Sequence, residues 1–140
     1  YWVSLIGTLA LIGFPGSSGF FSKDSIIEAV HLSTLPGSGY AYAMVLMGVF
    51  VTAFYSFRLL FMVFHGEERM DEHARAHLHE PGAVVWLPLV VLAVPSAIIG
   101  WLTIEPLLFG DFFMGVLFTL PAHDVVAEIG KDFHSPLGFV

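Results

Sequence analysis

Apolar residues in this chain come in long blocks, and the polar residues are gathered between them. Three blocks stand out, at 5–30, 42–64 and 84–104. A helix needs roughly 20 apolar residues, each rising about 1.5 Å, to cross a hydrocarbon core about 30 Å thick. Each block is that long, which predicts three membrane crossings. The first, within 1–31, contains Pro15-Gly16-Ser17-Ser18-Gly19, where a backbone donor is missing and two glycines loosen the chain. That predicts two half-helices with a break near 15–19.

The second block carries one charge, Arg58, close enough to the end of the helix to snorkel to the surface. Phe50, Phe54, Phe57, Phe61 and Phe64 recur at helical spacing and form a stripe for neighbouring helices or lipid. In the third block Trp86 and Trp101 are about 22 Å apart by helical rise, the separation of two headgroup levels. Pro88 and Pro95 fall on one face, where neighbours can tolerate them.

Between the second and third blocks, residues 65–82 are polar and hold Arg69 and Arg75, whereas 32–41 has neither Lys nor Arg. The positive-inside rule then places 65–82 in the cytoplasm and the first connection outside. Residues 105–135 are interrupted by Glu105, Pro106, Gly110 and Asp111, and end in a short amphipathic pattern of Val125, Ile129 and Phe133. They are expected to lie on the outer face. Residues 136–140 read as the start of a further, truncated helix, and the whole as an excised piece. The fold class expected is all-α: a polytopic membrane helix bundle fragment with one discontinuous transmembrane helix.

Composition agrees with this pattern. Of 140 residues, 56% are hydrophobic and 12% charged, and the mean hydropathy is +0.82, far from the balance of a water-soluble domain. The absence of cysteine excludes a disulfide scaffold, and the abundance of apolar residues excludes disorder. Five basic against twelve acidic residues argue against nucleic-acid binding.

Charges within or just after the first block are costly unless paired, turned to protein, or lining a water path. Lys23, Asp24 and Glu28 are therefore the candidate site residues, with His31 as a further relay position. Asp24, Glu28 and His31 share one face of the second half-helix, and Lys23 points about 100° away. A half-helix starting near Gly19 places the positive end of its dipole within about a turn of Lys23, an arrangement that disfavours its charge. A lysine beside a carboxylate stripe can alternate partners as protons arrive. A competing reading uses the capping-box spacing of Ser25 and Glu28: the membrane helix ends at Phe21, a surface helix starts at Ser25, and Lys23 is an interfacial anchor. His73 and His77, four apart, form a weak metal candidate if their loop is helical, with His65 or His79 as third ligand. His123 and His134 are weaker still. No P-loop, GxGxxG, CxxC or nucleophile motif occurs.

The run LIGFPGSSGFFSKDSIIEAV (11–30) resembles the antiporter-like L-subunit family of bacterial NADH:quinone oxidoreductase, respiratory complex I, whose mitochondrial counterpart is NADH dehydrogenase subunit 5. The resemblance continues through TAFYSFRLLFMVFHG (52–66), HEPGAVVWLPLVVLAVPSAIIGW (79–101) and LFGDFF (108–113). It implies a fragment from the C-terminal half of a larger proton-translocating subunit in the bacterial inner membrane. There the lysine of an interrupted helix, matched by Lys23, serves the proton path beside an acid matched by Asp24. It also implies that other membrane subunits of complex I, lipid and protons are the partners. No cofactor is implied in this chain, and NADH, FMN, iron–sulfur clusters and quinone belong to other subunits. Ser17 stands where the family commonly has a bulky apolar residue. The related alternatives are a subunit of multisubunit cation/proton antiporters and a membrane subunit of energy-converting hydrogenases. A purely structural anchor is the third reading.

Overall fold

The apolar blocks fold as the helices that their length demands. The computed structural model describes residues 1–113 and 115–133, and every regular element among them is helical. The order is α1 (Trp2–Ile12), α2 (Ser18–Leu32), α3 (Ser38–Phe64), a short α4 (Glu72–Ala76) and α5 (Ala83–Ile104), which runs on into a π-helical turn (Glu105–Phe109). A 3₁₀ turn (Pro121–His123) and α6 (Val125–Asp132) follow. The expectations for His134, and for a further helix starting at 136–140, lie outside the described residues.

Helix length separates the elements into two kinds. α3 has 27 residues, and α5 with its π turn also has 27, about 40 Å each and enough to cross a bilayer. α1 and α2 have 11 and 15 residues, so neither crosses alone and the pair crosses only in series. The chain is an all-α membrane helix bundle with one discontinuous helix.

At Glu105 and Pro106 the structure departs from the expected interruption: the helix carries on as a π turn to Phe109. Pro106 lacks the N–H that an α-helix would use, and the wider winding accommodates that gap.

α5 packs on both α1 and α2, and α3 packs on both from another side. The buried apolar side chains, Phe21, Leu60, Ala93, Ile104 and Ile129, are few, whereas Val84, Leu59, Phe50 and Phe54 face outward. Such an apolar exterior suits lipid and further helices, not water. Phe61 and Phe64 complete the exposed part of the aromatic stripe, and Phe57 is half-buried and stacked on Phe61.

The ring of Tyr1 meets those of Phe64 and His65, with centroids 5.3 and 5.6 Å away, so α1 begins where α3 ends. At the other end, the α2–α3 connection and Pro121, His123, Asp124 and Val125 line one groove. The polar stretch 65–82 is exposed throughout and holds α4, whose N-cap Asp71 accepts the Ala74 N–H at 2.8 Å. Arg75 and Glu68 pair at 3.4 Å with both side chains well exposed, a contact worth little.

α6 starts at Val125, the first residue of the amphipathic pattern, with Asp124 accepting the Ala127 N–H at 3.1 Å. Its apolar face is covered by protein: Ile129 is buried, and Phe133 stacks on Phe109 at 4.3 Å.

Candidate functional site

The break in the first crossing is built by specific hydrogen bonds. Gly13 adopts φ 78° and ψ 44°, a left-handed conformation that glycine reaches without strain, and ends α1. Its N–H donates to Ala10 O at 3.2 Å and that of Phe14 to Leu9 O at 2.9 Å, the paired bonds of a Schellman end. The Ser17 N–H and hydroxyl both donate to Phe14 O, at 2.9 and 2.8 Å. α2 then passes so close to α1 that a Cβ on Gly19 would sit 1.8 Å from Ala10 O. Glycine is the residue that permits this backbone contact.

Two carbonyls at the break accept from side chains. The Lys23 ammonium donates to Leu11 O in the last turn of α1, and the Trp101 indole N–H, on α5, donates to Gly16 O. The sequence placed the positive end of α2 nearest Lys23, but its nitrogen contacts the carbonyl end of α1. That end is negative and attracts a cation. Trp101, expected to mark a headgroup level from its spacing to Trp86, has its indole turned onto the break. It is half-buried, with its ring edge-on to Phe21 at 5.1 Å.

α5 meets the break along a close seam. The Ser18 hydroxyl donates to Ser96 O at 2.8 Å, and a Cβ on Gly100 would lie 2.9 Å from Ser18 Cα and 2.5 Å from Phe21 Cδ2. The missing Cβ lets α5 touch α2 backbone to backbone. Neither Gly100 nor Trp101 was singled out as a site residue from the sequence; a small residue beside a large one with a donor is the only local signal they carry.

α2 is continuous from Ser18 to Leu32, and the Ser25 hydroxyl donates to Phe21 O at 2.7 Å inside it. Ser25 is thus no N-cap, which overturns the reading of a helix ending at Phe21 and restarting at Ser25.

Lys23 and Asp24 are half-buried, and Glu28 and His31 are exposed. Asp24 and Glu28 are near enough for their carboxylates to interact electrostatically, and the His31 ring lies against Tyr42, 5.0 Å between centroids. Arg75–Glu68 is the one ion pair within 4.0 Å among the described residues, so Lys23 pairs with neither Asp24 nor Glu28. A cavity of about 490 Å³ opens on another side of α2, where Ser18, Ser22, Ser25 and Thr103 bring hydroxyls to an otherwise apolar lining. Lys23 is not part of that lining.

The loop histidines form no complete metal site. His73 and His77 do come together, rings 5.0 Å apart, but among the described residues no group of three His, Cys, Asp or Glu is placed to hold a metal. His65 sits between the rings of Tyr1 and Phe61, and His79 Nδ1 donates to His77 O at 2.9 Å.

Fold and site together define a segment of a polytopic membrane protein built round a broken helix, with a lysine tied to the break. No family model matches the chain. It is 52% identical, over 99% of its length, to NADH-quinone oxidoreductase subunit L of Neisseria meningitidis serogroup B. It is 39% identical over 86% of its length to the protein of the same name from Rhodobacter capsulatus, and 38% over 91% to NADH-ubiquinone oxidoreductase chain 5 of Chondrus crispus. The chain spans 23%, 18% and 20% of these relatives, about a quarter or less of each. Along nearly all of its own length, it is similar to part of subunit L and chain 5 proteins.

Proposed function

We propose that this chain is part of a proton-translocating membrane subunit of an NADH:quinone oxidoreductase, and that Lys23 is its relay base. The names of the relatives support the first statement. The bond from Lys23 to Leu11 O across the break supports the second, and it is the observation on which the reading rests.

The chemistry follows from the two sides of Lys23. The α1 carbonyl end holds its ammonium without the counter-charge of a carboxylate, so the proton is not locked into an ion pair. Asp24 and Glu28, on another face of α2, are the carboxylates with which Lys23 would exchange its proton, and they adjust the field at Lys23 as their own charge changes; His31 extends the same face. Electron transfer takes place in other subunits, which hold NADH, FMN, iron–sulfur clusters and quinone. The chain works beside other membrane subunits in the bacterial inner membrane, with 65–82 in the cytoplasm and residues 33–37 and 121–125 on the outer side.

The test is Lys23→Ala in the whole complex, with NADH oxidation and proton uptake measured together in inverted membrane vesicles. Fewer protons per NADH is the expected result. Unchanged pumping in a fully assembled complex overturns the relay and leaves a structural anchor.

A further inference from the structure

The polar atoms at the break divide unequally between local and distant partners. Leu9, Ala10, Phe14 and Ser17 carbonyls accept backbone N–H groups from three or five residues further on. Leu11 O and Gly16 O accept side-chain donors instead, from Lys23 and from Trp101 on α5. Inside a bilayer no water stands ready to replace a lost donor. A lysine that moves to a carboxylate leaves Leu11 O open, and the loop then depends on Trp101 and on the Ser18–Ser96 bond at the start of α2.

We propose that Trp101 is a positioning residue for the relay: its indole N–H pins the Gly16 carbonyl so that the break keeps its shape while Lys23 exchanges partners. Three independent contacts place the indole there. The ring lies flush on the loop, 3.4 Å from the position of a Cβ on Gly16. It packs edge-on against Phe21, two residues before Lys23 on α2. Beside it, Gly100 brings the α5 backbone onto Ser18, which fixes the height of the indole against the loop. Phe21 is buried, so this seam is a packed one. The two donors hold the loop from different directions: Lys23 reaches back along its own crossing, and Trp101 reaches across from a neighbouring one. This inference rests on the relay reading of Lys23.

The test uses the whole complex carrying Trp101→Phe, which keeps an aromatic ring against Phe21 and removes the donor. Trp86→Phe, the same change near the far end of α5, is the control. The expected result is a normal amount of assembled complex and normal NADH oxidation with a soluble electron acceptor. The initial rate of proton uptake falls roughly five- to tenfold, the factor in a rate that matches one sheltered acceptor losing its partner. Trp86→Phe pumps like the parent. Trp101→His, which returns a ring N–H, recovers part of the loss. In a Lys23→Ala background Trp101→Phe lowers pumping no further, because both act on one path. Parent-like pumping by Trp101→Phe, or an equal loss in Trp101→His and Trp101→Phe, overturns the proposal. Should Trp101→Phe fail to assemble, an assembled Trp101→His complex decides: pumping near the parent level supports it, and a tenfold loss refutes it. Normal pumping by Lys23→Ala alone is a different failure, that of the relay.

Discussion

Lys23 and Leu11, twelve residues apart and on opposite sides of a broken helix, are joined by a hydrogen bond from the ammonium to the carbonyl oxygen. The second half-helix thereby caps the first. A cation at the carbonyl end of a helix is favourable electrostatically, and here the same group is the proposed carrier of the proton.

Lys23→Arg separates those two roles. Arginine retains a cationic donor but stays charged across the physiological range. The complex is expected to assemble and oxidise NADH with a soluble acceptor, yet to pump as poorly as Lys23→Ala. Acridine-dye quenching in vesicles, alongside native gels, checks this, and an arginine variant that pumps normally refutes deprotonation at this position.

Gly19 holds the two half-helices in contact. Gly19→Ala places a methyl 1.8 Å from Ala10 O, which forces backbone apart and costs more than about 3 kcal/mol. Failure of the subunit to accumulate in the assembled complex is expected. Gly48→Ala, where nothing lies within 4 Å of the new Cβ, is expected to be neutral, and immunoblots of membranes distinguish the two.

Gly100→Ala tests the seam. Its methyl meets backbone at Ser18 Cα and a ring edge at Phe21, of which only the ring can turn away. A milder loss of about 1–3 kcal/mol is expected, seen as a lower thermal inactivation temperature of the purified complex.

His73 lies on the exposed helix Glu72–Ala76 and His77 caps its end, and among the described residues no third ligand joins them. Replacing both by alanine is expected to leave pumping and stability unchanged. A pumping rate that falls, or one that loses a zinc sensitivity present in the parent, contradicts this.

Ile129→Ala removes a buried side chain from the contact of α6 with α2 and the π turn, at about 2–5 kcal/mol of local packing. Faster proteolysis within 110–125 is expected, with α3 and α5 unaffected. Cleavage rates equal to those of the parent would show that α6 is held by something other than this face.

How far the site could be read in advance varied residue by residue. Pro15 and Gly16 announce the break, because a missing donor and freedom at φ are local properties, but the break begins at Gly13, earlier than expected, and Gly19 lies inside α2. Lys23, Asp24 and Glu28 announce themselves because charge is costly among apolar neighbours. The partner of Lys23 was not legible: helical spacing puts carboxylates nearby, but the choice of Leu11 O depends on the angle between two half-helices. The partner of Trp101 was not legible for the same reason. Its distance along α5 fits a headgroup level, and only the packing of α5 across the break turns its N–H inward.

The amino-acid order alone determined the number of apolar helices, their approximate ends, the place of the interruption and the candidate charges, since transfer of apolar side chains from water and the stereochemistry of proline and glycine act residue by residue. Tertiary structure decided which carbonyl each donor at the break serves, that Ser25 lies inside a helix rather than at its start, that the helix continues past Pro106, and that α6 covers protein. Those outcomes turn on contacts tens of residues apart, Gly16 with Trp101 and Ser18 with Ser96, where a shift of an ångström changes which atoms meet.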